Sequence, residues 1–387
     1  MEFSLFSASA VFPGALPHPV FIMTSLGPIF ADDLARVKPG DRLRLTISAQ
    51  TSDAAALAQA ALEARARGER VLVVCADPAD VPRLAQEMPW FEPKLDVRPL
   101  PDWETLPYDV LSPQEELVSE RLEALYRLTA PTGGADVLLT SAVTASQRLS
   151  PVSYIGANTF FFHQGEQISL TTLQKRLAAA GYANVKQVLA AGEFAVRGSI
   201  VDVFPMGSER PFRLDFFDDE IESIRWFDVD TQRSMESAEE IRLLPGHEFP
   251  VDPEALLAFR QRWRREFAGD PKKSIVYCDI EKEILPPGIE YYLPLFFDET
   301  AALTDYLPPN ARVFLLGDIE AALQAFGRDM ASRYKVLAAD PQRPALKLAL
   351  GLAGASFSKT FDELEMVQKL VPLFAKTGGD YSLSLDM

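Results

Sequence analysis

Charged side chains of both signs alternate with apolar side chains in the segment 212–225, FRLDFFDDEIESIR. Arg213, Asp215, Glu220 and Glu222 share one face of the two-stranded hairpin that this pattern predicts, because successive side chains of a strand point to opposite faces. Guanidinium groups bind carboxylates through paired hydrogen bonds. No arrangement of catalytic residues accompanies them. The segment therefore predicts either a solvated polar face or a surface that binds another protein through arginine anchors.

The pairing inside this hairpin follows from its turn. The dipeptide at 218–219 suits a tight two-residue loop, which pairs 217 with 220, 215 with 222 and 213 with 224. Asp215 then faces Glu222, and such a like-charge pair is mildly destabilising unless a cation lies beside it. Arg213, or Arg197 from the preceding run FAVR, is the candidate cation. The same pairing gathers the apolar residues on the other face: Phe212, Leu214, Phe216 and Ile221.

A phosphate-binding loop would lie at residues 45–55, LTISAQTSDAA, between a predicted strand and an Ala-rich helix. Such a loop needs glycines whose N–H groups surround phosphates, a lysine for the outer phosphates, and Ser or Thr for magnesium. This segment has no glycine and no lysine, and Asp53 would repel a phosphate. We expect the architecture of a nucleotide-binding domain without its chemistry, and no cofactor.

The elements around this segment alternate between strand and helix. The predicted strands cover 43–47, 71–75, 96–100 and 136–140, and the predicted helices cover 53–67, 78–88 and 113–128. Ser112 is predicted to cap the last helix, with Glu115 completing a capping box. Alternating strands and helices predict a largely parallel sheet in an α/β domain.

Composition limits the class of protein. A chain of 387 residues is expected to hold two or three domains. Its two cysteines are far apart, and its three histidines, His18, His163 and His247, have no metal-ligand spacing. The first residues lack the basic start of a signal peptide, and no apolar run is long enough to span a membrane. We expect a soluble protein of the reducing cytoplasm.

The charge balance bears on nucleic acid. Lys and Arg number 38 and Asp and Glu 55, which gives a net charge of −17. Binding to DNA phosphates needs an excess of cations, so the balance argues against DNA as the main ligand. The strongest basic run, RQRWRR at 260–265, is interpreted as the solvated side of a helix.

Three motifs resemble the N-terminal region of bacterial transcription-repair coupling factors, in the same order. They are LPDWETLPYD at 100–109, GEFAVRGSIVDVFPMGSERPFRLDFFDDEIESIRWFDVDTQRS at 192–234, and PGIEYYLPLFF at 287–297. The similarity runs from about residue 70 to about residue 340. It is weak before residue 30 and beyond about residue 345.

The resemblance implies a module related to the excision-repair protein UvrB. It implies a degenerate P-loop NTPase-like domain 1A with a parallel sheet, an inserted α+β domain 2 with a mainly antiparallel sheet, and a domain 1B that packs with 1A. The expected boundaries are 1–30 for an N-terminal extension, 31–151 for domain 1A, 152–250 for domain 2, 251–344 for domain 1B, and 345–387 for a third domain or a tail.

Domain 2 is implied to bind UvrA, the damage-recognition ATPase, at a surface like the one that UvrB offers. By motif, the expected partner-binding residues are Phe194 and Arg197 from GEFAVRG, Arg213, Asp215 and Glu222 from FRLDFFDDEIES, and Arg176 on a predicted helix over 171–180. A core position is the alternative for Phe194, and an internal ion pair with Glu222 is the alternative for Arg213.

The chain departs from the pattern of UvrB in two places. It lacks the lysine and glycines of the P-loop, and Tyr108-Asp109 leaves no room for the hairpin that UvrB inserts into DNA. The motifs of the polymerase-binding and translocase domains of coupling factors are also missing, so we expect a fragment or a truncated product. RNA polymerase, DNA, ATP and magnesium are expected only at those missing domains.

The sequence favours a non-catalytic recruitment module that binds UvrA in competition with UvrB. A UvrB-like subunit of a repair helicase, with ATP and DNA binding, is one alternative. Direct DNA binding through the basic run 260–265 is the other. No membrane partner is expected.

Overall fold

The computed structural model describes residues 42–46, 52–130, 134–308, 310–337, 340–345 and 382–386. The α-helices are α1 Ser52–Ala66, α2 Asp80–Phe91, α3 Glu115–Thr129, α4 Ala142–Ser146, α5 Val152–Ala157, α6 Leu170–Ala179, α7 Pro253–Glu266, α8 Ile275–Glu281 and α9 Ile319–Leu337. The strands are β1 Arg42–Thr46, β2 Val71–Cys75, β3 Val97–Pro99, β4 Val137–Ser141, β5 Phe160–His163, β6 Ala183–Asn184, β7 Glu193–Arg197, β8 Ile200–Val203, β9 Phe212–Phe217, β10 Glu220–Phe227, β11 Ser234–Ala238, β12 Glu240–Leu243, β13 Arg312–Leu316 and β14 Ser382–Asp386. Short 3₁₀ helices cover Pro271–Lys273, Ile289–Leu295 and Leu303–Tyr306.

The first sheet is parallel, with the strand order β1-β14-β13-β2-β4-β3. Its central strands are buried on both faces, as is typical of parallel sheets covered by helices. Val71, Val73 and Cys75 of β2 pack in one buried cluster with α1 and α2. Leu72 and Val74 of the same strand pack in another, with α3 and α9. The predicted parallel α/β domain is therefore confirmed, with its elements within three residues of their predicted ends.

Strand β14 comes from the C-terminal end of the chain and lies between β1 and β13. Residues 346–381 lie outside the described residues, and with them the helix predicted over 359–375. The domain boundaries stay a prediction.

The second sheet lies between these elements in sequence and has the order β11-β10-β9-β8-β7-β6. It is antiparallel except for the β6–β7 pair, and β5 and β12 form a two-stranded antiparallel sheet. The predicted inserted, mainly antiparallel sheet is confirmed. We call its apolar side the inner face and the opposite side the outer face. The buried inner-face residues are Phe194, Val201, Val203, Phe212, Leu214, Phe216, Ile221 and Ile224.

The predicted hairpin of β9 and β10 exists, but its register differs from the prediction. Residues 217 and 220 pair as expected, and the register then shifts between 221 and 223. Asp215 consequently pairs with Ser223, and Arg213 pairs with Arg225. The predicted pairing of Asp215 with Glu222 is wrong, because Glu222 is the extra residue of a β-bulge. No like-charged carboxylates therefore face each other at this point.

A third buried cluster is mainly aromatic and belongs to α7, α8 and the 3₁₀ helix Ile289–Leu295. Phe259 and Phe296 have ring centroids 4.7 Å apart, and Trp263 and Tyr292 have theirs 5.3 Å apart. Trp263 is the central residue of the basic run 260–265, and it is 1% exposed. The run is thus part of an amphipathic helix, as interpreted.

A buried ion pair joins the first sheet to the segment that follows the second. Arg121 of α3 donates to Glu248 through Nε (2.6 Å) and Nη2 (3.2 Å), and both side chains are at most 3% exposed. Trp103 donates its indole N–H to the same carboxylate at 3.0 Å. A buried ion pair stabilises a protein only when the other N–H groups of the arginine are also hydrogen-bonded. Here Arg121 Nη1 donates to the Pro101 carbonyl at 2.7 Å.

The capping box predicted at Ser112 and Glu115 does not form. Helix α3 begins at Glu115, and its N-cap residue, Gln114, makes no side-chain cap. The Ser112 hydroxyl instead donates to Glu290 Oε2 at 2.9 Å and accepts from the Gly288 N–H at 3.0 Å. The Ser112 hydroxyl therefore makes a tertiary contact and does not cap the helix.

Two negative findings concern the described part of the chain only. None of the helices described there is long and apolar enough to cross a membrane. In the same residues no group of three or more His, Cys, Asp and Glu side chains is arranged to hold a metal ion.

Candidate protein-binding surface

A row of side chains crosses the outer face of the second sheet in register. Ala195 of β7 pairs with Asp202 of β8, and Asp202 pairs with Arg213 of β9. Arg213 in turn pairs with Arg225 of β10, which pairs with Ser237 of β11. Because paired residues point to the same face, the charged members of this row are direct neighbours.

Asp202 is the centre of an arginine–aspartate–arginine cluster. Its carboxylate is 1% exposed and accepts from Arg213 Nε at 2.6 Å and from Nη2 at 3.0 Å. Arg197 Nη2 also donates to Asp202 Oδ2. A buried carboxylate needs such charge-assisted bonds, because removing it from water without partners is strongly unfavourable. Two arginines on the outer face are therefore held by one buried anion.

Arg213 is further fixed by its surroundings. Its Nη1 donates to the Gln232 carbonyl and to Ser234 Oγ, each at 3.2 Å, and its Cζ lies 4.9 Å from the centre of the Phe227 ring. Hydrogen bonding to Asp202 raises the pKa of Arg213, while burial acts in the opposite direction. The guanidinium is thus a permanently charged, oriented group with 17% of its side chain exposed.

The structure brings together some of the residues expected to bind a partner. Arg197 and Arg213 meet at Asp202, and Asp215 lies in the next row of the outer face, paired with Ile200 and Ser223. Ser199 Oγ is 3.4 Å from Asp215 Oδ1. Glu222 is exposed at the bulge, beside this row. The internal partner of Arg213 is therefore Asp202, not Glu222 as the alternative reading had it.

Phe194 and Arg176 lie elsewhere. Phe194 is 1% exposed and belongs to the buried cluster of the inner face, so the expectation of an exposed aromatic anchor at this position is corrected. Arg176 is exposed on α6, whose Leu173 and Leu177 belong to the same inner cluster. Helix α6 thus covers the inner side of the sheet, and Arg176 is not part of the outer face.

Sequence reasoning missed three residues of this surface. Asp202 interrupts the apolar strand IVDV, and a charged residue in such a strand is the signal that could have identified it. Arg225 is exposed beside Arg213, and its position depended on the register that the bulge changed. Phe217 is 69% exposed at the end of β9, on the outer face with Arg213 and Asp215.

Another buried carboxylate lies at the start of α1, next to the segment where a phosphate-binding loop would be expected. Residues 47–51 lie outside the described residues, but the first turn of α1 carries Asp53, which is 3% exposed. Arg83 donates to both oxygens of Asp53, at 2.6 and 3.1 Å, and the Ala54 N–H donates to Oδ1 at 2.7 Å. A helix N-terminus favours an anion, and here the protein's own carboxylate takes that position.

A cavity of about 630 Å³ lies between the motifs at 100–109 and 287–297. Its lining includes Trp103 and Tyr291, whose rings meet edge to face at 5.4 Å, and Glu290. Burial raises the pKa of Glu290 to about 7, and the hydrogen bond from Ser112 opposes this shift. Gly288 has a φ of 78°, and a Cβ there would lie 2.6 Å from the Asp109 carbonyl oxygen. The two motifs therefore pack closely against each other beside this cavity.

Comparisons with known proteins bear on the second sheet directly. A family profile described as the UvrB interaction domain matches residues 160–249, which include β5 through β12. Asp202, Arg213 and Arg225 all lie inside this match.

Full-length relatives match a larger part of the chain. It is 43% identical over 277 residues to the transcription-repair-coupling factor of Escherichia coli (strain K12), covering 71% of this chain and 24% of that protein. It is 45% identical over 254 residues to the factor of the same name from Haemophilus influenzae, covering 65% of this chain and 22% of that protein. The factor from Bacillus subtilis (strain 168) is 32% identical over 216 residues. The chain thus spans less than a quarter of the length of these relatives, in their N-terminal part.

Proposed function

The chain belongs to the transcription-repair coupling factor family, and on that premise we propose that it is a non-catalytic recruitment module that binds UvrA. Binding of UvrA in competition with UvrB would direct nucleotide excision repair to RNA polymerase that has stalled at a DNA lesion. Translocation on DNA and displacement of polymerase, with their ATP and magnesium, are assigned to parts of the relatives that this chain does not match.

The observation that carries this proposal is the arginine–aspartate–arginine cluster on the outer face. Arg197 and Arg213 are held by buried Asp202, within the region that matches the UvrB interaction domain. Preorganised arginines lose little freedom on binding, which favours their use at protein interfaces. No cavity or metal site is needed for such recognition.

The proposed contact residues on this surface are Arg197, Arg213, Asp215 and Glu222. Phe194 supports them from inside the domain, because its side chain lies in the buried cluster of the inner face and is not accessible. Arg176 is carried by α6, which covers the inner side of the sheet, so it lies apart from these contact residues.

The absence of ATP chemistry in this chain is also a proposal. It is supported by Asp53 in the first turn of α1, where an ion pair with Arg83 holds a carboxylate of the chain itself. A phosphate at this helix end would meet the negative charge of Asp53, and the like charges would repel each other. This arrangement supports a chain without cofactor and argues against the UvrB-like ATPase alternative.

Direct DNA binding by the run 260–265 has little support from the contacts of its arginines. Arg262 donates to Asp298 at 2.6 Å, and Arg260 lies 3.7 Å from Glu281. These two charges are partly neutralised by carboxylates of the same chain, which weakens their attraction to phosphates. The cytoplasmic location remains a prediction that follows from this role.

The proposal is tested by co-elution of the purified chain with UvrA on a sizing column, with UvrB as competitor. We expect a complex of the chain with UvrA that excess UvrB dissolves. Failure of the two proteins to co-elute would contradict the proposed role. A complex that contains the chain, UvrA and UvrB together would contradict only the proposal that the chain and UvrB share one site on UvrA.

A further inference from the structure

The cavity between the motifs at 100–109 and 287–297 has the size and the lining of a ligand site. Its volume is about 630 Å³. Ligand sites in proteins are concave, enclose about 300–1,000 Å³ and are mostly apolar, with a few polar groups that orient the ligand. Six aromatic residues line this cavity: Trp103, Tyr108, Tyr291, Tyr292, Phe297 and Phe326. Such a lining suits a flat aromatic group.

The polar ends of two of these aromatic side chains already have partners inside the protein. The Trp103 indole N–H donates to Glu248 at 3.0 Å. The Tyr292 hydroxyl donates to the Pro344 carbonyl at 3.1 Å. These two rings therefore supply apolar surface to the cavity, and hydrogen bonding to a ligand falls to other groups.

Gln147 brings an unpartnered hydrogen-bond acceptor to the lining. Its Nε2 donates to Asp102 Oδ1 at 3.0 Å, which fixes the orientation of the side-chain amide. Its Oε1 is buried and has no hydrogen-bond partner among the described residues. Because a buried acceptor without a partner is unfavourable, a bound group that donates a hydrogen bond to it would be stabilised.

The turn beside the cavity has a strained backbone. It runs from Leu106 to Asp109, and the Asp109 N–H donates to the Leu106 carbonyl at 3.0 Å. Tyr108 has a φ of 74° at the third position, after Pro107, where a turn of this kind normally carries glycine. Arg333 of α9 holds the turn by donating to the Pro107 carbonyl at 3.1 Å. Strained residues that are held in this way cluster at binding sites.

The charges around the cavity largely offset one another. Four arginines and five acidic residues line it. Two of the acidic residues are paired, Asp298 with Arg262 and Asp109 with Arg333. A balanced charge gives no preference for an ion of either sign, which favours a neutral ligand.

From these observations we propose that the cavity binds a neutral aromatic group with one hydrogen-bond donor, such as an indole, whose donor bonds to Gln147 Oε1. This chemistry belongs to free small molecules and to the tryptophan side chain of a peptide. Leu106, Val110 and Leu111, in or next to the turn, are 44%, 54% and 63% exposed and offer apolar contacts to residues that flank such a tryptophan. The site is separate from the outer face of the second sheet.

The test is isothermal titration of the intact chain with indole and with benzofuran, which has an oxygen in place of the indole N–H. Gln147→Leu removes the acceptor, and Val110→Trp fills the cavity from its lining. Val336→Trp is the matched control, because Val336 is 76% exposed on α9 and does not line the cavity. Melting temperatures show whether each variant is folded. If Gln147→Leu does not fold, the two ligands and Val110→Trp still decide the result.

We expect the wild type to bind indole about fivefold more tightly than benzofuran, because benzofuran leaves Gln147 Oε1 without a donor. Gln147→Leu should bind both ligands equally. Val110→Trp should weaken indole binding by about tenfold, and Val336→Trp should stay within about twofold of the wild type. No saturable binding of indole, equal affinity of the wild type for both ligands, or unchanged binding by Val110→Trp would overturn the proposal.

A third ligand, N-acetyl-leucyl-tryptophanyl-leucinamide, distinguishes the two sources of the aromatic group. Tighter binding of this peptide than of indole supports the site and assigns it to a peptide, because the flanking leucines then add apolar contacts. Weaker binding of the peptide than of indole supports the site and assigns it to a small molecule. Neither result bears on UvrA binding, so the proposed function is tested separately.

Discussion

Asp202 and Arg213 face each other on β8 and β9, and their side chains form a two-point ion pair with distances of 2.6 and 3.0 Å. The carboxylate is buried and the guanidinium reaches the surface. One internal anion therefore sets the position of the arginines on the outer face. The stability of the inserted sheet and the charge of its surface consequently depend on the same residue.

Replacement of this anion is expected to destabilise the inserted sheet. Asp202→Asn leaves Arg213 and Arg197 without their counter-charge, and removal of one partner of a partly buried pair costs about 2–3 kcal/mol. Urea unfolding followed by circular dichroism measures the loss. Asp215→Asn, on the same face but less buried, is the control, with an expected change within about 0.5 kcal/mol. Equal unfolding midpoints for Asp202→Asn and wild type would refute the buried-anion role.

The ion pair between Arg121 and Glu248 is expected to be the more sensitive of the two. Glu248→Gln keeps the shape of the side chain but leaves the guanidinium of Arg121 buried without a counter-charge. We expect a loss of about 3–5 kcal/mol. The matched control is Glu63→Gln, which removes a surface pair with Arg67 at 3.8 Å, worth about 0.5 kcal/mol. Similar thermal unfolding of the two variants would show that the buried pair does not hold these parts together.

The raised pKa of Glu290 predicts a dependence of stability on pH. Below a pH of about 4.5 the carboxyl is protonated in both the folded and the unfolded chain, so it adds no difference. As pH rises to about 7 the unfolded chain ionises first, and the folded state loses stability relative to it. Glu290→Gln removes this loss.

The variant should therefore match the wild type near pH 4.5 and exceed it by about 1–2 kcal/mol at pH 8, a figure reduced because the carboxyl is partly exposed. The experiment is denaturant unfolding of both proteins at a series of pH values. Exposed Glu299 provides the control, and Glu299→Gln should show a flat difference. If the stability of Glu290→Gln relative to the wild type falls as pH rises, the prediction is contradicted.

The carboxylate at the start of α1 predicts that ATP does not bind. Millimolar ATP with magnesium should leave the melting temperature of the chain unchanged, because a ligand stabilises a protein only when it binds the folded state. The same preparation should release no phosphate from ATP above the buffer rate. Saturable stabilisation by ATP would show that Asp53 does not block the site and would revive the UvrB-like alternative.

Strand and helix patterns were readable from the sequence, whereas the contacts that place the site were not. The alternation FRLDFF correctly predicted which residues are buried, because period-two alternation is a local property of a strand. The bulge at Glu222 is set by how β10 packs, and it moved Arg225 next to Arg213. Ser112 has the local sequence of a helix cap, but it bonds to Gly288, 176 residues away. For Phe194 the sequence left a core position and an exposed anchor open, and only the sheet shows that it is buried.

The central claim is that the outer face of the second sheet binds UvrA. Its most direct test is an isothermal titration of UvrA into the intact chain, repeated with Arg197→Glu, which reverses a half-exposed charge beside Asp202. The account predicts saturable binding by the wild type and at least a tenfold loss for the variant, with Arg328→Glu unchanged. Equal affinity of wild type and Arg197→Glu, or no binding by either, would contradict it.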